Sequence, residues 1–132
     1  MVKLPLPQPT EVELQILRIL WELGPSTARE IHNRLEAEKG TSYSTSVKML
    51  SVMLEKGLVK RDELAQPHVY RAVLTREHAG RRMLTELIDK IYNGSAATLV
   101  LQALASRKTS TAELNEVRKL LDQIEQVEDV KK

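Results

Sequence analysis

The chain has 132 residues, with 20 Lys and Arg against 18 Asp and Glu, no cysteine and no phenylalanine. This length allows one domain, or one small domain with an extension, and excludes large enzymes. The lack of cysteine excludes disulfides, thiolate metal sites and thiol catalysis, which fits a reducing cytoplasm. Aromatic residues are scarce, so the core must be built from Leu, Ile, Val, Ala and Met, a mixture typical of a mainly α fold.

The sequence also lacks signals for membranes or export. No apolar run approaches the length that spans a bilayer, and the first residues, Met1 to Pro5, lack the apolar core of a signal peptide. We therefore expect a soluble, cytoplasmic protein with no direct membrane insertion.

Two helices are predicted at the start of the chain. Pro5 to Pro9 indicates an extended arm, and Thr10-Glu-Val-Glu13 has capping-box spacing for a first helix that ends near Gly24. Ser26 or Thr27 then caps a second helix, which Gly40 ends. The apolar positions of both helices form stripes that face the core, with Trp21 as a packing anchor. The stripes comprise Leu14, Ile16, Leu17, Leu20 and Leu23 in the first helix and Ala28, Ile31 and Leu35 in the second.

The stretch from Tyr43 to Val59 predicts a third helix with one polar face, followed by a strand. Ser42 is the expected N-cap, and Gly57 is expected to end the helix. Apolar residues face the core at helical spacing, namely Val47, Leu50, Met53 and Leu54. The opposite stripe is polar and comprises Ser44, Lys48, Ser51 and Glu55, with Thr45 beside it. An ordinary amphipathic helix with a solvated face would show the same pattern.

This polar stripe suits the major groove of DNA. Hydroxyl groups can donate to phosphates or touch base edges without filling the groove, and a lysine can meet a phosphate or a guanine edge. Residues 39–74, which include the stripe, carry six Lys or Arg and three Asp or Glu, whereas residues 1–38 carry four and six. This modest positive footprint supports a DNA recognition helix. The predicted contacts in this helix are Ser42, Tyr43, Ser44, Thr45, Lys48 and Ser51.

A β-hairpin is predicted after the third helix. Leu58 to Arg61 and Val69 to Val73 are β-prone, and a Gln66-Pro67 turn separates them. Three helices followed by a hairpin are the order of a winged helix-turn-helix DNA-binding domain, here residues 1–74. In the wing, Arg71 and either Lys60 or Arg61 are predicted to hold backbone phosphates. Lys60 and Arg61 cannot both face DNA, because strand side chains alternate in direction.

Residues 75–132 are predicted to form a helical dimerisation domain. Thr75, Ser95 and Ser110 are the expected caps of its three helices, and the helix after Ser95 has almost no polar face, so it must be buried on several sides. Packing against a copy of the same segment gives a two-fold homodimer. The alternative is that the helices wrap around the winged domain as one globule. The predicted dimerisation residues are Leu84, Leu87, Ile88, Ile91, Leu99, Val100, Leu104, Leu114, Val117 and Leu121.

Four segments, in this order, carry a family resemblance. They are residues 9–17 with Leu20-Trp21, residues 43–59, His68-Val-Tyr-Arg71 and residues 92–101. On these segments the chain resembles the penicillinase-repressor (BlaI/MecI/CopY) family of transcriptional regulators over nearly its whole length. The resemblance implies a homodimeric repressor that binds an inverted-repeat operator in double-stranded DNA. It also implies release when a membrane-bound sensor metalloprotease leads to cleavage in the fifth helix, at the position that corresponds to Gln102-Ala103.

The chain differs from members of that family at positions that bear on function. The antibiotic-resistance members have basic residues where this chain has Ser44, Val47 and Val52, whereas Ser42 and Thr45 match. We therefore expect a different operator preference, with Lys48 as this chain's own basic group in the groove. At the cleavage position those members have asparagine followed by phenylalanine. The copper-responsive members carry a cysteine-rich tail, so copper sensing by that route is excluded in a chain without cysteine.

The sequence offers no pattern for catalysis or for a cofactor. The histidines, His32, His68 and His78, do not share a helix face at ligand spacing, so no metal site is expected. The glycines occur singly, so no loop could cradle a phosphate, and no nucleophile has a neighbouring base. We expect a protein that is not an enzyme and needs no cofactor. The remaining alternative is a winged-helix protein-interaction module that uses the same fold without DNA.

Overall fold

The computed structural model of the protein is mainly helical, as predicted, with one small antiparallel sheet. It describes residues 8–131, without the side chains of Lys39 and of residues 129–131, and the Pro5 to Pro7 part of the predicted arm lies outside this range. The elements in chain order are α1 (Glu11–Leu23), β1 (Ser26–Thr27), α2 (Ala28–Lys39), α3 (Tyr43–Lys56), β2 (Val59–Asp62), β3 (Val69–Ala72), α4 (Arg76–Ile91), α5 (Ala96–Ser106) and α6 (Thr111–Lys131).

The first two helices begin at complete capping boxes. The hydroxyl groups of Thr10 and Thr27 accept hydrogen bonds from the backbone N–H groups of Glu13 and Glu30, each at 3.2 Å. Each glutamate side chain accepts in return from the backbone N–H of its threonine, at 2.9 Å. Ser26 does not cap α2, because its hydroxyl donates to the carbonyl of Gly24 at 2.8 Å. The box at Thr10 was predicted, and at α2 the structure selects Thr27 from the two candidates.

The three strands lie in the order β1-β3-β2, and both pairs are antiparallel. The hairpin was predicted, and each of its strands ends or begins within one residue of the expected position. Strand β1 was not predicted, because two residues are too short to show an alternating pattern between two helical signals. It pairs Ser26 with Tyr70 and Thr27 with Val69, which fastens the hairpin to the connection between α1 and α2.

The core of the winged part lies between α1, α2, α3 and the sheet. Five of the eleven buried residues of this core come from the predicted stripes of α1 and α2, whereas Leu23 of the α1 stripe is exposed. Trp21 is partly buried and packs against the core, as expected of an anchor. The buried cluster comprises Ile16, Leu17, Ile19, Leu20, Ile31, Leu35, Leu50, Met53, Leu58, Val59 and Tyr70. Because Leu50 and Met53 are fully buried, this core fixes α3 with its other face turned outward.

The chain divides into two compact units, and the boundary between Thr85 and Glu86 falls inside α4. The first unit holds the three helices, the sheet and the beginning of α4. The second holds the end of α4 together with α5 and α6. The domain division proposed from the sequence, after Leu74, lies at the loop before α4.

Helices α5 and α6 begin where the sequence predicted. The hydroxyl groups of Ser95 and Ser110 accept from the backbone N–H groups of Thr98 and Glu113, each at 3.1 Å. No described side chain of α5 or α6 is buried. The single chain therefore does not provide the burial that was predicted for α5. Within residues 8–131, no helix is both long and apolar enough to cross a membrane.

Candidate nucleic-acid interface

Helix α3 presents its polar stripe to solvent. It begins after the predicted cap Ser42 and ends at Gly57, whose φ of 79° lies in the left-handed region that favours glycine. The exposed stripe comprises Ser44, Thr45, Lys48, Ser51 and Glu55. Among residues 8–131, Lys48 has no hydrogen bond or ion pair, so its ammonium group is available to an anion. Val47 was predicted to face the core, but it is only half-buried because it borders a groove between α3 and the wing.

The first turn of α3 carries a cluster of hydroxyl groups. The Ser42 hydroxyl accepts from the backbone N–H of Thr45 at 3.3 Å and donates to the Thr45 hydroxyl at 2.8 Å. The Ser44 hydroxyl lies 3.3 Å from that of Ser42, and the first turn contains no acidic residue. Because the N-terminal end of a helix favours negative charge, this end of α3 can meet a phosphate with several donors.

Side chains from α2 hold the start of α3 in place. The guanidinium carbon of Arg29 lies 4.0 Å from the centre of the Tyr43 ring, and the His32 ring meets the same tyrosine edge-on at 5.3 Å. His32 is buried, with Nδ1 2.9 Å from the Ser46 hydroxyl and Nε2 3.2 Å from Glu36. An ionised carboxylate can only accept, so the hydrogen bond to Glu36 requires a hydrogen on Nε2, and the Ser46 hydroxyl can either donate to Nδ1 or accept from it. The buried polar groups are thereby paired, and they fix the first two turns of α3.

A groove of 320 Å³ lies between the start of α2, the start of α3 and the wing. Tyr43 and Val47 line it from α3, and Arg29 lines it from α2. The other lining residues are Ala28, Gln66, Pro67, His68 and Tyr70. The groove therefore brings the predicted contact residue Tyr43 together with the turn of the wing, and it adds one arginine that the sequence prediction did not include.

The three predicted cations of the wing lie on two faces of the hairpin. Lys60 pairs with Arg71 across the strands, and Arg61 pairs with Tyr70, so Lys60 and Arg61 point to opposite faces. Arg61 donates to Glu63 at 2.6 Å, and this hydrogen bond raises the pKa of Arg61 and lowers the pKa of Glu63. In the part of the chain that the structure describes, Lys60 and Arg71 have no such partner. Arg61 shares its face with Tyr70, which lines the groove, whereas Lys60 and Arg71 lie on the other face.

An ion pair anchors the end of α3 to the start of α1. Lys56 Nζ lies 2.8 Å from Glu13 Oε2, and the Glu13 side chain is 4% exposed against 33% for Lys56. Burial alone would raise the pKa of Glu13, but hydrogen bonds from Lys56 and Thr10 and the charge of Lys56 outweigh it. The pKa of Glu13 is therefore lowered. Helix α3 is thus tied at its start by His32 and Ser46 and at its end by Lys56.

These supporting residues were not predicted from the sequence. Arg29 and His32 are three residues apart on α2, which places them on one face of the helix. This spacing was the only feature of the sequence that could have indicated their shared contact with Tyr43. Lys56 and Glu13 are separated by 43 residues, and an isolated lysine or glutamate on a helix is most often solvated.

The predicted dimerisation residues form apolar faces on α4, α5 and α6. Five of them are exposed in the single chain, and the other five, Ile88, Leu99, Leu104, Leu114 and Val117, are half-buried. The exposed ones are Leu84, Leu87, Ile91, Val100 and Leu121. Exposed apolar side chains in this number are typical of an interaction surface.

The two residues at the expected cleavage position, Gln102 and Ala103, are exposed on α5. Their backbone is helical, and the Gln102 carbonyl also accepts a hydrogen bond from the Ser106 hydroxyl at 2.6 Å. Among the described residues, no group of three or more His, Asp or Glu side chains could hold a metal ion.

Comparison with known proteins identifies one family. The sequence profile of the penicillinase repressor family matches residues 9–123. The chain is 22% identical over 118 residues to the penicillinase repressor of Bacillus licheniformis, covering 89% of this chain and 92% of that protein. It is 21% identical over 112 residues to the penicillinase repressor of Staphylococcus aureus, covering 85% and 89%. It is also 21% identical over 113 residues to the methicillin resistance regulatory protein MecI of Staphylococcus aureus (strain N315), covering 86% and 92%. The resemblance found in the sequence is confirmed, and the chain belongs to the penicillinase repressor family.

Proposed function

We propose that this protein is a DNA-binding transcriptional repressor that acts as a homodimer on an inverted-repeat operator. The observation that carries the proposal is the exposed stripe of Ser44, Lys48 and Ser51 on a helix whose other face is locked into the core. Membership of a family whose relatives are called penicillinase repressors supports the same function. In this mechanism α3 enters the major groove and the wing lies beside it.

The stripe combines two kinds of contact. The Ser42, Ser44 and Thr45 hydroxyl groups at the start of α3 would hold phosphates and position the helix. Lys48 and Ser51, one and two turns further along, would reach either the base edges or the opposite backbone. The tethering of α3 at both ends means that little conformational freedom is lost when the groove is occupied.

The apolar faces of the second unit support the proposed homodimer. Side chains such as Ile91, which is 64% exposed, and Leu121, which is 51% exposed, gain by leaving water. A two-fold copy of the same helices offers a complementary apolar surface and places two α3 helices on one duplex. A dimer then binds an operator with two half-sites more tightly than one winged domain binds a single half-site. Once the first domain is bound, the second is held near its half-site at a high effective concentration.

Release of the operator is proposed to follow cleavage within α5 at Gln102-Ala103, set in motion by a membrane-bound sensor metalloprotease. The two residues are exposed in the single chain, but a dimer that covers α5 would bury its backbone. A protease would then need local opening of this helix. Cleavage there would remove α6 from its protomer and weaken the dimer, and the bivalent binding of the operator would be lost with it.

The test is a titration of the full chain against labelled duplex DNA. We would compare the region upstream of the protein's own gene with a shuffled duplex of the same length and composition, at fixed salt. The proposal predicts specific binding that is on the order of 10³-fold tighter or more, with two protomers per duplex and a two-fold symmetric footprint. Equal, weak affinity for both duplexes would contradict it and favour a protein-interaction module.

A further inference from the structure

The loop that joins the wing to α4 is fastened to the winged unit at several points. The indole N–H of Trp21, in α1, donates to the carbonyl of Leu74 at 2.8 Å. One residue earlier, the backbone N–H of Val73 donates to the carbonyl of Leu58 at 3.0 Å. The guanidinium carbon of Arg76 lies 5.9 Å from the centre of the Trp21 ring, within cation–π distance. This connection is therefore braced by contacts and does not resemble a flexible linker.

The first turn of α4 is fixed at the same place. The Thr75 hydroxyl accepts from the backbone N–H of His78 at 3.1 Å, and the Thr75 carbonyl accepts from Ala79 at 3.0 Å. Ala79 is 4% exposed and is thus buried within the first unit. From there α4 continues as one helix to Ile91. Trp21 and Ala79 thus hold the start of α4 in place within the first unit.

We propose that Trp21 is a positioning residue that makes this joint stiff, so that the repressor selects operators by the distance between their half-sites. The inference rests on the proposed function, since it requires a homodimer on an inverted repeat. Each added base pair rotates the second half-site by roughly 34–36° and moves it by about 3.4 Å, because one turn contains 10–10.5 base pairs over 34–36 Å. A flexible connection absorbs such a change, whereas a stiff one loses the second half-site.

The chemistry at Trp21 allows the joint to be loosened with a small change. In Trp21→Phe an aromatic ring still packs against the core and faces Arg76, but the Leu74 carbonyl loses its donor. In Arg76→Gln the hydrogen bond remains and only the cation over the ring is lost. Both substitutions are remote in sequence from α3 and leave its exposed stripe unchanged.

The experiment measures the affinity of the full chain for duplexes in which the half-sites keep their sequence and their spacing changes by one or two base pairs. A duplex with a single half-site is measured in parallel. We expect wild-type affinity to fall on the order of 10²-fold at a change of two base pairs, because the second half-site is lost. For Trp21→Phe the same change in spacing should lower affinity roughly tenfold or less, and affinity for the single half-site should be unchanged. For Arg76→Gln the loss of affinity should lie between those of the wild type and Trp21→Phe.

Leu35→Val is the matched control, because it removes a methylene from the fully buried core of the same unit without touching the joint. It should keep the wild-type dependence on spacing, which separates stiffness of the joint from stability of the unit. The inference is overturned if the affinity of both Trp21→Phe and Arg76→Gln depends on half-site spacing as in the wild type. It is also overturned if these substitutions weaken binding to every duplex equally. A wild-type chain that tolerates all spacings overturns the inference but leaves DNA binding intact, whereas a chain that binds no duplex overturns the proposed function as well.

Discussion

Replacing Lys56 with methionine should destabilise the winged unit, because it leaves the buried carboxylate of Glu13 without its counter-charge. Removing one partner of a fully buried ion pair costs about 3–5 kcal/mol. Two features of this pair lower that figure. Lys56 is one third exposed, so water already screens the pair, and Glu13 keeps the hydrogen bond from the Thr10 backbone at 2.9 Å. We therefore expect a loss of about 2 kcal/mol, or roughly 30-fold in the unfolding equilibrium constant.

The loss should depend on pH in a defined direction. Because the folded-state pKa of Glu13 is lowered in the wild type, its contribution is fully present above the ordinary glutamate pKa of about 4.3. It is lost as the pH falls through the lowered folded-state value. In Lys56→Met the charge and hydrogen bond of Lys56 are gone, so they no longer offset the effect of burial, which raises the pKa of Glu13. The difference in unfolding free energy between the two proteins should thus be largest near neutral pH and should close in acid.

Urea unfolding at a series of pH values measures this difference. Arg34→Met is the control, because Arg34 pairs with Glu22 at 2.6 Å on the surface, where both side chains are about half exposed, and it should cost less than about 1 kcal/mol. If Lys56→Met cost no more than Arg34→Met at neutral pH, Glu13 would not depend on Lys56 as its counter-charge. A difference that stayed constant down to acid pH would likewise show that the ionised Glu13 carboxylate is not its source.

Three further outcomes follow from the site and the second unit. Lys60, Arg61 and Arg71 should each be replaced by alanine in turn. DNA binding should weaken for residues on the hairpin face that meets the DNA backbone and should be unchanged for residues on the other face. Equal, negligible effects of all three substitutions would show that the wing does not contact DNA. A chain ending at Thr85, which keeps the buried Ala79, should be a folded monomer by sedimentation with affinity lower by about 10² to 10⁴, and persistent dimerisation would contradict the assignment of the second unit. Mass spectrometry after exposure of cells to a cell-wall antibiotic should reveal a fragment ending at Gln102, whereas only intact chain would point to another signal.

Local signals in the sequence were sufficient for the helices and the hairpin. Thr10, Ser42 and Gly57 are short-range markers, because a cap or a left-handed residue depends on neighbours within a few positions. The polar stripe of α3 was equally local. Its exposed face could be read from helical periodicity, and the structure places those residues on the surface as expected.

The contacts that support the site could not be predicted in this way. The Trp21 to Leu74 hydrogen bond spans 53 residues and the Lys56 to Glu13 pair spans 43, so no local pattern marks either. Strand alternation predicted that Lys60 and Arg61 would point apart, but the register was needed to show which of them shares a face with Arg71. The burial expected for α5 was not found, because its apolar sequence carries no information on which surface, if any, covers it, and the single chain leaves its side chains unburied.

Lys48→Ala is the decisive test of whether α3 reads double-stranded DNA. Its affinity for the operator should be measured by fluorescence anisotropy over a series of salt concentrations, with Lys119→Ala, which removes the same charge from an exposed position on α6, as the control. If Lys48 holds a phosphate, Lys48→Ala should weaken every duplex and lower the salt slope by about 1 per protomer. If it reads a base, preference at one position should relax by about 1–3 kcal/mol. If affinity, salt slope and sequence preference all equal those of Lys119→Ala, Lys48 does not contact DNA and α3 is not the recognition helix.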